Sequence, residues 1–459
     1  MRHRSLAGPL LLIVIGALFL THNLRPELEL FRLVAVYWPF LLIAWGLIRL
    51  LEVLARALRG RPIPASSITA GEVVLIIVIS LGGSVMYAAH RYGPHLPHVR
   101  IGPLGPRALE ILGERFEYPI SEQAPAPGVK RIVLEIPRGS VRVTGGDGQE
   151  IRVAGQKAVR AFSQADADEV NSGTPFEIRL EGDRALVRLS PDRARHWRLV
   201  SAEVEITAPR AVSIEAKGGH AEIEVNGIAG GVDIEGAGGS VRLKEIGGDV
   251  RVHSIGSELV WVADAKGSLE IEGRGENIEL ENVAGEVTIR GRYPGALEFR
   301  NLARPLRFES RQTELTMAAL PGEISMDLGH FRARDCVGPI RFKTRSRDVR
   351  FERFTNALEL ETERGDVELD PGRLPLAKME VRARAGNIEL VLPAGATFEL
   401  EARAEHGEVQ NEFGPELKSG SEGRASSLKG GVGQGPLLKL TTHRGQVEVR
   451  KAGLAETRL

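Results

Sequence analysis

The chain has 459 residues, with 60 Lys plus Arg against 60 Asp plus Glu, and a single cysteine, Cys336. The length allows two or three domains, the balanced charge argues against a nucleic-acid binder, and one cysteine excludes an intramolecular disulfide. Aromatics are few and glycines many, which suits a narrow core of Val, Ile and Leu, with Cys336 as a small member of it.

Three apolar segments open the chain, at residues 6–24, 30–51 and 73–89. Each approaches the roughly 20 residues needed to cross a hydrocarbon layer about 30 Å thick. Arg2 and Arg4 before the first segment would also suit a secretory signal, but no small-x-small cleavage site follows and a second apolar segment comes at once. Arg49, Arg56, Arg59 and Arg61 fill the loop between the second and third segments, whereas the first loop sets Arg25 against Glu27 and Glu29. The basic side faces the cytoplasm, so the N-terminus is expected inside and everything after Ala89 outside. Tyr37, Trp38 and Trp45 are read as packing or interface anchors. Residues 1–90 are thus expected to form an α-helical membrane module of three spans, in contact with the lipid bilayer.

Residues 91–128 are rich in proline and glycine and predict an extended linker, with a short helix at Ala108–Phe116. His90, His95 and His98 are read as solvated, because Pro94 and Pro97 prevent a helical face that would converge them on a metal.

From Val129 to Leu459 the pattern is β. Ile132–Ile136, Ser140–Thr144 and Glu150–Ala154 alternate, and Ser163 with Asp166 makes a capping box for a helix over Ser163–Val170. Strands follow at Phe176–Leu180, Ala185–Leu189 and Ala202–Ala208. Between them, Arg193, Arg195, Trp197 and Arg198 form a basic cluster that could meet an anionic surface, although such a cluster is usually a solvated hairpin end. Gly145-Gly146-Asp147-Gly148 resembles half of a calcium-binding nonapeptide but is not repeated, so it is read as a turn.

Residues 221–369 repeat one short phrase: a turn, then apolar, variable, apolar. Val232-Asp233-Ile234, Val250-Arg251-Val252 and Leu269-Glu270-Ile271 are examples, and the first apolar residues lie nine or ten positions apart. Apolar turn residues recur at Ile228, Ile246, Ala265, Val283, Leu302 and Leu320, every 18 or 19 positions. The doubled period predicts a single-stranded parallel β-solenoid of about 18–19 residues per coil, two strands to a coil. Residues one coil apart then stack about 4.8 Å apart. One outward column is expected to read Asp233, Arg251, Glu270, Thr288, Arg307, Ser325, Arg341, Glu359. The other reads Glu224, Arg242, Val260, Glu279, Glu298, Thr316, Arg332, Arg350, Glu368. Opposite charges mostly adjoin, but Glu279 meets Glu298 and Arg332 meets Arg350. Ser419–Gly435, rich in Gly and Ser, is expected to be a mobile loop.

Two resemblances follow from these motifs. Gly8-Pro9-Leu10 through Leu20, His22-Asn23-Leu24, and Tyr37-Trp38-Pro39 through Ile48 together resemble the LiaI/LiaF-type transmembrane region of bacterial membrane proteins, some tied to envelope-stress signalling. The order of Gly139-Ser140-Val141-Arg142-Val143, Val204-Glu205-Ile206-Thr207-Ala208-Pro209, the repeats, Gly386-Asn387-Ile388-Glu389-Leu390 and Leu440–Val449 resembles the putative-adhesin β-repeat family, whose fold is toastrack-like. That resemblance implies no catalytic residues and no cofactor.

Solenoids also include polysaccharide-cleaving enzymes, which need clustered carboxylates or carboxylates with calcium in one groove. Here acids are spread outward and interleaved with arginines. No phosphate loop, His-Glu-x-x-His or cysteine pair is present. The expectation is a non-enzymatic, multi-pass protein of the bacterial cell membrane that displays its β domain for recognition or stress sensing. Its partner would be a membrane signalling protein or a cell-envelope polymer; a purely adhesive role is the alternative.

Overall fold

A computed structural model describes residues 113–189 and 200–453, with Ile43, Gly46, Leu47, Ile76, Ile77, Ser80, Leu81, Gly82 and Ser84. The isolated positions in the apolar segments are helical, but among the described residues no helix is long and apolar enough to cross a membrane. Apart from those nine positions the three expected spans, and with them the linker histidines and the basic cluster Arg193, Arg195, Trp197 and Arg198, lie outside the described residues. The chain divides into two compact units, residues 1–117, 158–173 and 193–200, and residues 118–157, 174–192 and 201–459. In the first, the helix Gln164–Gly173 is capped as expected: the Ser163 hydroxyl accepts the Asp166 N–H at 3.2 Å and lies 2.7 Å from its carboxylate.

The described chain is mainly β, with 31 strands joined in one mixed sheet. In the second unit the strands form two ladders. The first ladder includes Ser213–Lys217, Val232–Ala237, the start of Val250–Ala263, the start of Leu269–Val283, Val287–Arg292 and Leu306–Glu309. Val232, Val250, Leu269, Val287 and Leu306 are successive cross-strand partners, all parallel. The second ladder runs through His220–Asn226, Val241–Lys244, the latter parts of the same two long strands, and Leu297–Leu302. Apolar residues alternate inward, so both ladders bury one face.

The corner between windings explains the doubled period. Gly227, Glu245, Asp264, Asn282 and Asn301 all take φ between 50° and 71°, and each precedes a fully buried turn residue: Ile228, Ile246, Ala265, Val283 and Leu302. Asp and Asn tolerate the left-handed region better than most side chains. They also stack: Asn282 Nδ2 donates to Asp264 Oδ1 at 3.0 Å, and Asn301 Nδ2 to Asn282 Oδ1 at 2.8 Å.

One winding of these ladders runs the other way. Thr313–Met317 is antiparallel to Leu306–Glu309 and to Ile340–Ser346, and Leu320–Met326 is antiparallel to Leu297–Leu302 and to His330–Val337. This reversed winding corrects the expectation of unbroken parallel coils. Two tight turns cause it. The Ser310 hydroxyl accepts the Gln312 and Thr313 N–H groups at 3.3 and 3.0 Å, and Asp327 Oδ1 accepts those of Gly329 and His330 at 2.7 Å each. Arg347, 6% exposed, ties the two turns together by donating to the Asp327 carbonyl and to the Thr313 hydroxyl. Reversal exchanges two residues between the outward columns: Thr316 lies between Arg307 and Arg341, and Ser325 between Glu298 and Arg332. Four phenylalanines, Phe331, Phe342, Phe351 and Phe354, pack at centroid distances of 4.2–6.0 Å beside the change of direction.

Three further expectations are corrected. Trp261, not Val260, stacks on Arg242, and Val260 is buried. Glu114–Pro125 is a strand where a linker and the end of a short helix were expected; its alternation at Phe116, Tyr118 and Ile120 has the strand period. Ser419–Gly435 is largely a hairpin: Leu417–Glu422 pairs with Ala425–Val432, which lies antiparallel on Phe398–His406. Its small residues permit this close approach, for a Cβ at Gly431 would lie 2.3 Å from the Phe398 carbonyl.

The ladders end by insertion. Leu437–Arg444 lies between Met379–Ala385 and Phe398–His406, and Val447–Lys451 between Ile388–Leu392 and Val409–Glu412. Arg131–Glu135 is inserted in the same way between Arg184–Leu189 and Ser213–Lys217. Cys336 is 1% exposed, and burial, aided by the Asp335 charge, raises its thiol to about 12.

Candidate functional site

The outward faces are dominated by paired charges. Arg251 meets Glu270 at 3.4 Å, Arg341 meets Glu359 at 3.0 Å, and Arg142 bridges Glu205 and Glu224 at 3.0 Å each. Exposed pairs of this kind are weak, so together they set register more than stability. Against this background, arginines without carboxylates stand out.

Four of them gather at one corner. The strands Ile340–Ser346, Leu358–Arg364, Met379–Ala385 and Leu437–Arg444 are adjacent and parallel, and each carries an exposed arginine in its last two residues: Arg345, Arg364, Arg384 and Arg444. With Ser346, Glu363, Ala385 and His443 they line a groove of about 490 Å³. Among the described residues, none of the four lies within ion-pair distance of a carboxylate. The corner beneath them is rigid. A Cβ at Gly365, Gly386 or Gly445 would lie 2.0–2.2 Å from the carbonyl oxygen of Arg347, Gly365 or Gly386 respectively, so each corner seats directly on its neighbour. Just past the glycines a polar cap locks the stack. Asp348 Oδ1 accepts Asp366 N at 3.0 Å, Asp366 Oδ1 accepts Asn387 N at 2.7 Å, and Asn387 Oδ1 accepts Gln446 N at 2.9 Å.

Arg332, on the second ladder, also has no carboxylate within ion-pair distance among the described residues. It sits opposite Ser325 on one side and Arg350 on the other, as expected for the Arg332–Arg350 mismatch. Around it the charges are matched: Arg350 contacts Glu352 at 2.5 Å and Glu368 at 3.2 Å, and Arg334 contacts Glu352 at 3.0 Å and Glu323 at 3.4 Å. Burial raises the Glu368 carboxyl, with Arg350 opposing and Glu389 and Glu352 reinforcing the shift. Arg332 and Arg350 line two open grooves of about 410 and 520 Å³.

Such a geometry can hold an anion. Guanidinium groups fork onto carboxylate, sulfate or phosphate oxygens, and stacked windings space them regularly along one edge. The sequence reading missed the corner arginines. Their signal was a basic residue ahead of a glycine and a polar cap, as in Arg364-Gly365-Asp366, Arg384-Ala385-Gly386-Asn387 and Arg444-Gly445-Gln446.

Residues 129–450 match the family model described as Toastrack DUF4097. No curated protein matches the sequence. Among solved structures, the chain is similar to a putative cell adhesion protein from Clostridium sporogenes, at 8% identity over 74% of this chain and 100% of that one, with a TM-score of 0.15. It is also similar to a putative adhesin from Bacteroides fragilis, at 10% identity over 73% and 97%, with a TM-score of 0.22. A putative lipid binding protein from Parabacteroides distasonis matches at 8% identity over 73% and 97%, with a TM-score of 0.17.

Proposed function

The chain belongs to the Toastrack DUF4097 family, and from that premise we propose that it is a non-catalytic, membrane-anchored envelope protein whose β domain recognises an anionic polymer outside the cytoplasm. The observation that carries this reading is the groove lined by Arg345, Arg364, Arg384 and Arg444, four exposed cations in a chain whose net charge is zero. The reading takes the parallel windings as a β-solenoid with one reversed coil, a scaffold that repeats a binding group along an edge. The three apolar segments at residues 6–24, 30–51 and 73–89 provide the anchor, and the excess of arginines at the N-terminus and in the second loop puts the β domain outside. A membrane partner would pass the binding event on, because the expected cytoplasmic parts are too short to form an output domain.

Two experiments test this. The full chain in detergent is titrated with polyphosphate and with polygalacturonate at low and high salt. Binding is expected to weaken at high salt and to fall at least about tenfold in Arg364→Glu/Arg384→Glu. Equal affinity of wild type and variant sinks the polymer-binding reading. For topology, Ser421→Cys, at an exposed position of the Leu417–Glu422 strand, is labelled in intact cells with a membrane-impermeant maleimide; buried Cys336 gives little background. Labelling only after lysis overturns the outside placement. Loss of surface attachment without any transcriptional change on deleting residues 129–459 would favour a purely adhesive role.

A further inference from the structure

Past the arginine groove, the same corner carries Glu405, His406 and His443, whose ligand atoms all lie within 4.8 Å of one another. The geometry points to a mononuclear site for a divalent transition-metal ion, Zn²⁺, Ni²⁺ or Cu²⁺, held by one carboxylate and two imidazoles. This inference does not depend on polymer binding.

The three side chains come from two adjacent parallel strands, Phe398–His406 and Leu437–Arg444. The pairs Ala404↔Thr442 and His406↔Arg444 put Glu405 and His443 at one level, and His443 Nδ1 lies 2.5 Å from Glu405 Oε2. The His443 contact is the main reason the Glu405 carboxyl sits below its ordinary value. The His406 ring stands 5.0 Å from that of His443, inclined at 70°. The backbone beneath is fixed. A Cβ at Gly407 would lie 1.9 Å from the Gly445 carbonyl, Gly445 N donates to the His406 carbonyl at 3.3 Å, and the Thr442 hydroxyl donates to the Gly386 carbonyl at 2.9 Å.

Metal–ligand bonds of about 2.0–2.2 Å require donor atoms within about 4 Å of each other. Closing from 4.8 Å to that spacing takes a displacement of under about 1 Å between donor atoms. Two imidazoles and a carboxylate form a three-ligand set whose remaining positions face solvent, since His406 is exposed and Glu405 and His443 are half-exposed. The donor set, rather than the surrounding charge, selects the ion. Arg403 on the same strand, and Arg384 and Arg444 beside His443 in the groove, all repel a cation. Hard ions that bind through oxygen gain too little here, whereas imidazole nitrogen favours Cu²⁺, Ni²⁺ and Zn²⁺. The ion would tie the inserted strand Leu437–Arg444 to Phe398–His406.

The test uses the tag-free full chain in detergent, stripped with EDTA. The sequence has 11 histidines, so the result is read as a difference between variants. Calorimetry is expected to show one more equivalent of Zn²⁺ in wild type than in His406→Ala or His443→Ala, and at least tenfold weaker binding at that site in Glu405→Gln. Ca²⁺ and Mg²⁺ should give no corresponding difference. The Cu²⁺ paramagnetic resonance spectrum of the site should show two imidazole nitrogens, falling to one in either histidine variant. Equal Zn²⁺ stoichiometry and affinity across wild type and all three variants overturns the site. Should a histidine variant lose its strand circular dichroism, Glu405→Gln, which keeps the side-chain shape, decides alone.

Discussion

Substituting Gly291 tests whether the windings are seated as closely as the register requires. Gly291 pairs with Gly273 of the preceding winding at φ 144°, and an added Cβ would lie 1.8 Å from the Gly273 carbonyl oxygen. A non-glycine residue held in that region costs about 1–3 kcal/mol. Relieving the overlap costs about 1–3 kcal/mol more, because neither backbone can move without breaking ladder hydrogen bonds. Gly291→Ala should therefore lose about 2–6 kcal/mol. Gly236 is the control: its φ is 72°, but an added Cβ meets nothing within 4 Å. Gly236→Ala should lose only the left-handed penalty of about 1–2 kcal/mol, so Gly291→Ala should be the costlier of the two by about 1–3 kcal/mol, the overlap alone. Urea denaturation of the full chain, followed by far-ultraviolet circular dichroism, compares the two midpoints. Losses that agree within about 0.5 kcal/mol would refute close seating of one winding on the next.

Arg347→Met removes the donor that serves the Asp327 carbonyl and the Thr313 hydroxyl; it should cost about 2–3 kcal/mol in the same denaturation assay. Arg332→Glu replaces a like-charged neighbour of Arg350 with an opposite one, so it should raise stability by up to about 1 kcal/mol. Asp335 is held below the ordinary carboxylate value, chiefly by its hydrogen bonds with Arg353 at 3.0 and 2.7 Å. Its contribution is full above the unfolded value and is lost as the pH falls through the lower folded value. Asp335→Asn, which keeps a residue tolerant of φ 53°, should therefore destabilise at pH 7 and converge with wild type in acid. Lys157 works the other way. Burial lowers it from 10.5 to about 8, so the unfolded chain holds more protons between those values and stability should rise with pH across them, by about 3 kcal/mol. Lys157→Met should abolish that rise.

The parallel windings were legible because two independent periods coincide in the sequence. Strand alternation placed Val232, Val250 and Leu269 inward, and the turn residues Ile228, Ile246 and Ala265 marked each full winding. The reversed winding was not legible, because Leu315-Thr316-Met317 and Ile324-Ser325-Met326 keep the same alternation whichever way the strand runs. Direction is decided by side-chain bonds in the turns at Ser310 and Asp327, and by Arg347, which lies 20 residues from one partner and 34 from the other. The inserted end strands were hidden for a related reason. Leu437–Arg444 follows Phe398–His406 in the chain but sits on the side facing Met379–Ala385, and no local signal distinguishes the two positions. Of the candidate site, the Arg332–Arg350 conflict was visible as a charge mismatch. Of the corner arginines, Arg345, Arg364 and Arg384 recur 19 and 20 positions apart and carried a signal; Arg444 did not, because it lies 60 residues from Arg384 and becomes its neighbour only through that insertion.

Insertion also brings Arg444 beside Arg345, Arg364 and Arg384, whose strands already neighbour one another in simple winding order. Along a simple winding order each outward charge faces its predecessor one winding earlier, as Arg341 faces Glu359 at 3.0 Å. Placing Leu437–Arg444 between two strands already in sequence puts Ala385 opposite Arg444 and Arg444 opposite His406. Glu405, at the level of His443, is thereby kept one strand further from Arg384. Like charges at that spacing are mildly destabilising. A bound anion removes the repulsion, so ligand binding at this corner should also hold the last strands in place.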